Sequence, residues 1–510
     1  MKIKNILTVM LLAAAALGFQ GCSDSDNGNK GRFGKTGAGT VLNLSHDGAE
    51  VSELNVSMGE LTSYMISIDT DGAWQVAMPD ADTTWVHITP HEGYGWAVNE
   101  EDATNLNAYV KLKVDYNEGE ERSTILTFTT GSLVATLTIN QAGRGSSDDP
   151  IESVWDMVSN IKMGYNLGNT LESNHDPSQS WFHPSGPGDW KTYETCWGQP
   201  VTTQEIINEI AGKGFNIIRV PVTWFPHIDE EGNINEEWMA RVEEVVNYVL
   251  KANCYCIINV MHDTGSRAEG RTDKQCWLTA DMDAYPENTI LYQKIWKQIA
   301  ERFKDYDEKL IFESFNEILN ASYSWTAPSS ATDPAYEAIN KLQQDFVNVV
   351  RATGGNNQYR NLAVTTYAAT GTSDAALEAF QAPQDVVQNH IYLTIHSYDP
   401  YNFCNNNSGK NQDGTEYDYN IKIFDDDCKA EIDKVFARIQ KRCTSLGIPF
   451  IFGEFGAIDE DKSMTERVKY ATYLKQKFTE YNMTGLWWMG LYNRDDDEWY
   501  EQEIVDALFK

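Results

Sequence analysis

The sequence predicts an α/β protein, a (β/α)8 TIM barrel preceded by a small all-β sandwich of Ig-like type. Three observations lead there. From residue 151 onward, eight short apolar runs alternate with longer segments whose apolar residues recur every three or four positions, the pattern of buried parallel strands and their covering helices. Residues 40–143 carry instead short runs of alternating apolar and polar residues between turn formers, as strands with one buried face do. Two of the eight apolar runs, IFESFNEI and IFGEFGA, lead into glutamates, Glu317 and Glu454. A parallel barrel carries its chemistry where its strands end.

In chain order, residues 1–21 have a basic start, an apolar run from Ile6 to Leu17 and small residues before Cys22. This is the pattern of a signal peptide, too short to cross a membrane as a mature helix. Gly21-Cys22 resembles a bacterial lipoprotein cleavage site, which would leave Cys22 as a lipid-modified N-terminus. Ser23-Asp24-Ser25-Asp26 resembles the acidic tag that carries lipoproteins of the Bacteroidetes to the outer face of the outer membrane. Residues 22–39 are rich in Gly, Asp, Asn and Ser and read as a flexible tether. Within residues 40–143 the runs SYMISIDT, YVKLKVDY, STILTFTT and LVATLTINQAG read as strands, and residues 144–150 as a linker.

The barrel strands are expected at residues 163–169, 216–222, 255–261, 310–315, 362–367, 391–398, 449–455 and 485–490, with helices such as EEWMARVEEVVNYVLKAN and MTERVKYATYLKQKF between them. Long polar insertions at 171–200, 263–287 and 399–426 follow the first, third and sixth strands. On a barrel they would wall a groove over the catalytic face, with Trp181, Trp190, Trp197, Trp277 and Tyr401 offering aromatic faces.

The formal charge is −35, from 40 basic and 75 acidic residues, so nucleic acid and anionic lipid surfaces are not the expected partners, while a neutral polymer is not repelled. The 15 Trp and 25 Tyr suit sugar rings, although any single Trp is more often core. The nine histidines are scattered without a His-Glu-x-x-His run, and no Gly-rich phosphate loop opens a helix, so neither a metal nor a nucleotide cofactor is expected. Seven cysteines follow Cys22, and Cys404 with Cys428 is the one pair placed to suggest a disulfide.

Polar residues recur where the predicted barrel strands end: Asn166, Asn169, Arg219, His262, Asn316, Glu317, His396, Tyr398, Glu454 and Trp488. Each alone reads as a satisfied rim or core residue. Two facing carboxyl groups across a barrel mouth are nevertheless what a glycosidase needs. With RVPVTW, FNE, HSY and GEFGA in order, and NLGNTLE near the start, residues 151–510 resemble the family 5 glycoside hydrolases, and within them subfamily 4. The run ending at Gln141, with Trp74 and Trp85, is similar to the BACON module found beside glycan-degrading enzymes.

That resemblance implies a retaining endo-acting β-1,4-glucanase with no cofactor. Glu317 would be its acid/base and Glu454 its nucleophile. Arg219 and Tyr398 would keep Glu454 ionised, His396 would orient Glu317, Asn316 would bond the sugar 2-hydroxyl, and Trp488 would floor the subsite of the attacked sugar. Asn166, Asn169 and His262 complete the expected set of substrate-binding or supporting residues. Two positions depart from the family pattern. Met261-His262 stands where relatives often carry two histidines, and Met489-Gly490 follow Trp487-Trp488, leaving open which tryptophan faces the sugar. The layout is similar to surface endo-xyloglucanases, so xyloglucan is the expected polymer for a monomeric surface lipoprotein. Mixed-linkage glucan, cellulose and mannan are the alternatives, and a non-catalytic glycan-binding protein is a remoter one.

Overall fold

The computed structural model describes residues 37–46, 48–56, 64–94, 109–115, 117, 121–141, 151–175, 180–266, 275–405, 422–459, 462–488 and 490–510. The expected signal peptide, Cys22, most of the tether, the linker at 144–150, Met489 and parts of all three insertions lie outside the described residues.

The N-terminal module holds β1 (Leu42–His46), β2 (Ala49–Glu50), β3 (Glu53–Val56), β4 (Tyr64–Thr70), β5 (Ala73–Ala77), β6 (Val86–Thr89), β7 (Glu92–Tyr94), β8 (Tyr109–Val114), β9 (Arg122–Thr130) and β10 (Leu133–Gln141). They form two five-stranded sheets, in the orders β2-β1-β4-β8-β6 and β3-β10-β9-β5-β7. Alternation makes the sandwich. Along β4, Tyr64, Ile66, Ile68 and Thr70 are buried while the residues between them are exposed. Their inward faces meet Leu126, Phe128, Leu137 and Ile139 from the other sheet, and Trp74 and Trp85 lie in this core.

The second module closes an eight-stranded parallel barrel from β11 (Gly164–Asn166), β12 (Ile217–Val220), β13 (Tyr255–Asn259), β14 (Leu310–Glu313), β15 (Leu362–Thr370), β16 (Ile391–Ser397), β17 (Phe450–Phe455) and β18 (Gly485–Trp488), with β18 pairing back onto β11. All eight lie within or across the expected runs. Most are shorter because the last residues of each run already belong to the catalytic-face loops; after β11, for instance, the chain passes Gly168 and a left-handed Asn169 at φ 56°. Helices cover the barrel through their apolar stripes. The helix Glu236–Lys251 is capped by Asn235, whose side chain accepts from the amides of Glu237 and Trp238, and it buries Trp238, Val242, Val245, Val246 and Val249.

Two features bear on the site. The ladders β15–β16, β16–β17 and β17–β18 each slip register near their C-terminal ends, between Thr365 and Thr370, Ile395 and His396, and Phe452 and Phe455. Such irregularities re-aim side chains at a barrel rim. Cys404 and Cys428, the pair whose spacing suggested a disulfide, are not bonded to each other. All seven described cysteines are free thiols, with Cys404 turned to the carbonyl of Asp399 at 3.4 Å and Cys428 to that of Ile423 at 3.8 Å.

Candidate active site

The site is assembled around one buried cation. Arg219, on β12, is fully buried, and its rigid fork bonds four residues from three other strand ends. Nε donates to Glu313 Oε2 at 2.7 Å, and Nη1 to Glu454 Oε1 at 2.7 Å and to Asn166 Oδ1 at 3.1 Å. Nη2 donates to Asn316 Oδ1 at 2.8 Å. Isolated, such a charge could not be buried, and two carboxylates with two amide oxygens satisfy it. Burial would lower the guanidinium pKa, but Glu313 and Glu454 reverse that and leave it raised.

The slipped register places His396 of β16 beside Glu454 of β17. His396 Nδ1 lies 2.8 Å from Glu317 Oε1 and 3.6 Å from Glu454 Oε2. The Tyr398 hydroxyl donates to Glu454 Oε2 at 2.8 Å. One oxygen of Glu317, one of Glu454 and a ring nitrogen of His396 all lie within 4.8 Å of one another. The backbone must approach closely here. A Cβ on Gly453 would stand 2.3 Å from Thr394 Oγ1 and 3.3 Å from His396 Nε2, so only glycine fits between the two strands.

Charge is distributed unequally over this group. Burial raises the Glu454 pKa above the ordinary glutamate range, against the pull of His396 and Arg219. Burial would lower the His396 pKa, but the carboxylates of Glu454 and Glu317 overcome it and favour the imidazolium. Burial and the negative charge of Glu454 hold the Tyr398 phenol well above its usual range, so it remains a donor. Glu317 is the more open carboxylate, its side chain 21% exposed against 6% for Glu454. The set can therefore present a proton from one carboxyl and an electron pair from another to a single atom between them. Among the described residues, Glu317, His396 and Glu454 are also the one trio with metal-ligand spacing. Arg219 and Tyr398 already occupy both Glu454 oxygens, and a guanidinium at 2.7 Å opposes a second cation.

The remaining expected residues divide. Trp488 is partly exposed at the end of β18, whereas Trp487 is buried against Phe455 and Tyr470, so Trp488 is the one at the cleft. His262 is half-buried and meets Trp197 edge to face at 5.3 Å. Asn166 is not a substrate contact. It is fully buried, donating to the carbonyl of Gly453 at 2.9 Å while its oxygen supports Arg219. Asn169 is partly exposed, and its amide is held by the Glu172 carboxylate. Met261 is buried, with its sulfur 3.7 Å from Asn259 Nδ2. Of the insertion aromatics, Trp181 is exposed, Trp190 packs under the Arg241 guanidinium at 4.7 Å, and Trp277 donates to Asp263 at 2.6 Å.

Sequence reasoning missed Glu313, which shares Arg219 with Glu454 and accepts from Asn259 at 2.8 Å. The signal was present, since an acidic residue inside the apolar run IFESF has no other reason to be there. It also missed Glu172 and Asp263, two fully buried carboxyls whose pKa burial raises to about 7 and about 6. They fix catalytic-face loops, Glu172 through the amides of Asn169 and Thr170, and Asp263 through the Trp224 amide and the Trp277 indole.

Residues 176–491 match the family model described as cellulase (glycosyl hydrolase family 5), and residues 72–142 match BACON, a putative N-terminal binding domain. The xyloglucan-specific endo-β-1,4-glucanase of Bacteroides ovatus is 30% identical over 442 residues, covering 82% of this chain and 81% of its own. A family 5 enzyme of Prevotella bryantii, solved with a xyloglucan tetradecasaccharide, is 36% identical with a TM-score of 0.61, covering 70% of this chain and 98% of its own. A subfamily 4 broad-specificity endoglucanase of Ruminococcus champanellensis, solved with cellotriose, is 33% identical with a TM-score of 0.62, covering 71% of this chain and 100% of its own.

Proposed function

The chain belongs to the endo-β-1,4-glucanases of glycosyl hydrolase family 5, and on that premise we propose that it is a retaining enzyme that cuts xyloglucan at the outer face of the outer membrane. One observation carries the mechanism: carboxylate oxygens of Glu317 and Glu454 come within 4.8 Å of each other. Retaining glycosidases keep their carboxyl groups about 5–5.5 Å apart, while inverting ones need roughly 6.5–9.5 Å to admit a water.

Glu454 is the nucleophile. Arg219 and Tyr398 each hold one of its oxygens, stabilising the carboxylate in one orientation against the burial that would protonate it. Glu317 protonates the leaving glycosidic oxygen as Glu454 attacks the anomeric carbon, giving a glycosyl ester. Glu317, now ionised, takes a proton from water, which attacks the same carbon and releases Glu454. His396, bonded to Glu317 and favouring the imidazolium, steadies the carboxylate that appears midway. Asn316, whose oxygen is committed to Arg219, has its amide nitrogen left for the sugar 2-hydroxyl.

Xyloglucan is favoured by the Bacteroides ovatus relative, whose alignment spans 82% of this chain, and by the Prevotella bryantii structure with bound xyloglucan. The broad-specificity Ruminococcus champanellensis neighbour supports the rival reading, an endoglucanase on unbranched or mixed-linkage glucans. The surface address rests on the sequence of residues 1–26, with the BACON module as a spacer behind the enzyme. Azide tests the roles. With an activated aryl glycoside, Glu317→Ala plus azide is expected to recover turnover and give a β-glycosyl azide, whereas Glu454→Ala gives the α-anomer or nothing. Rescue of neither variant, or inversion by the wild type, sinks the assignment.

A further inference from the structure

Trp190, in the insertion after β11, is an aromatic residue that the mechanism above does not use. It opens the short helix Trp190–Thr195, capped by Asp189, and packs against the helix Glu236–Lys251 on the outer wall of the barrel. The two segments approach closely, since a Cβ on Gly188 would stand 2.2 Å from Glu237 Oε2. Between them lies a groove of about 710 Å³ lined by Trp190, Glu237, Arg241, Glu244, Tyr248 and Lys251. Its helix residues recur every three or four positions and so make one stripe, about 21 Å long from Glu237 to Lys251 at a rise of about 1.5 Å per residue. A helix that follows a barrel strand runs back against it. The stripe therefore starts at the catalytic face, beside the insertion, and descends the outer wall.

The chemistry of this groove is that of a sugar site. The buried Arg241 guanidinium lies 4.7 Å from the Trp190 ring and 5.9 Å from the Tyr248 ring. Its Nε and Nη2 each donate to the buried Glu194 at 2.9 Å, Nη2 also to the Thr202 carbonyl at 2.8 Å, and Nη1 to Glu244 at 2.5 Å. The Tyr248 hydroxyl donates to Glu244 at 2.8 Å. This network holds both rings in place and neutralises the arginine, so the centre of the groove has no cation to offer a phosphate or carboxylate. Glu237 and Lys251, opposite in sign, stand at its two ends, and among the described residues no hydrogen bond engages either charged group or Trp190 Nε1. Partly exposed aromatic surface beside uncommitted donors and acceptors suits a neutral polyhydroxylated chain better than a polyanion or a polycation. We propose that this groove is a second glycan-binding site, which holds a further stretch of the β-glucan that is cut in the cleft. The inference takes its ligand from the endoglucanase reading above. A polymer held at two places on one enzyme gains through effective concentration, whereas an oligosaccharide too short to reach both gains nothing.

Two substitutions outside the catalytic machinery test it. Trp190→Ala removes the aromatic platform. Ala240→Arg, at an exposed position lining the groove, fills it with a good helix former and leaves Trp190 and the arginine network in place. Each is made in the wild type and in Glu317→Ala, so that polymer is not consumed while binding is read. Affinity electrophoresis of the Glu317→Ala proteins in gels containing hydroxyethylcellulose or xyloglucan reads binding, and kcat/KM of the others on an aryl β-cellotrioside reads the cleft alone. Both groove variants are expected to bind the two polymers about tenfold more weakly, with kcat/KM on the aryl glycoside unchanged. Unchanged retardation of both variants, or a matching loss on the aryl glycoside, overturns the inference. Groove-dependent retardation by dextran sulfate in place of the neutral glucans overturns it too. A wild type that cut no β-1,4-glucan would instead overturn the enzymatic reading, and the gels would still report on the groove.

Discussion

Glu313→Gln tests the idea that one guanidinium is shared between two carboxylates. The substitution keeps the shape and an acceptor for Arg219 Nε but removes a charge from a residue that is 1% exposed. Two carboxylates flanking one guanidinium stand on the order of 7 Å apart, where one charge acts on the other by about 2 kcal/mol at an effective dielectric of about 20. Removing that repulsion, and leaving Arg219 to Glu454 alone, lowers the Glu454 pKa. The sign follows from its role. As the proposed nucleophile Glu454 must be ionised, so the wild-type acidic limb of kcat/KM is expected above the ordinary glutamate value of 4.5, because burial raises Glu454. In Glu313→Gln that limb moves to lower pH, and the plateau falls because a less basic carboxylate attacks more weakly. Stability also falls, by about 1–3 kcal/mol, since a charge-assisted bond becomes a neutral one. The assay is kcat/KM on a soluble glucan from pH 3 to 9 for both proteins, with thermal melting alongside. An acidic limb that stays in place, or moves to higher pH, refutes the shared-cation reasoning.

Three further outcomes are expected. Gly453→Ala forces a methyl to 2.3 Å from Thr394 Oγ1, and overpacking of this kind costs about 1–3 kcal/mol; because His396 is displaced with it, kcat should fall about 10²-fold, and a variant with wild-type kcat would show that the strand contact does not set the site. Cys22→Ala should appear in the soluble fraction with unchanged specific activity, and protease shaving of intact cells should digest the wild type; survival of the wild type places it inside the envelope. The ratio of kcat/KM on xyloglucan to that on carboxymethylcellulose, mixed-linkage glucan and mannan should exceed one, because branch contacts add binding that a bare backbone cannot supply; a preference for any unbranched polymer overturns the substrate while leaving the mechanism.

The barrel was legible because its eight strands are buried on both faces and so stand out as apolar runs, and because the glutamates at 317 and 454 have no place in such runs without a task. What stayed hidden depends on contacts between strands distant in sequence. For Asn166 the sequence left open a substrate-binding or a supporting role, because strand ends offer both an open and a covered position, and its neighbours Gly453 and Arg219 place it in the covered one. The choice between Trp487 and Trp488 turned on which face of β18 points inward, a question period-two alternation cannot answer without an absolute reference. Cys404 and Cys428 bracket one loop, but bracketing a loop does not bring two thiols into bonding geometry.

The two carboxyls proposed as catalytic are anchored very differently, and this decides which can be discarded. Glu454 lies within β17 and bonds a buried arginine, so deleting it leaves Nη1 without its carboxylate and the cation to Glu313 alone. Glu317 lies beyond the end of β14, is partly open, and has His396 as its partner, a side chain that can shed its charge. On the proposed roles, a protein without Glu317 keeps its core electrostatics and its nucleophile, and loses the means to expel a poor leaving group or to activate water. Supplied with a donor bearing a good leaving group and with an acceptor more nucleophilic than water, such a barrel would build glycosidic linkages instead of breaking them. Position 317 is the place from which this scaffold can be turned from degradation to synthesis.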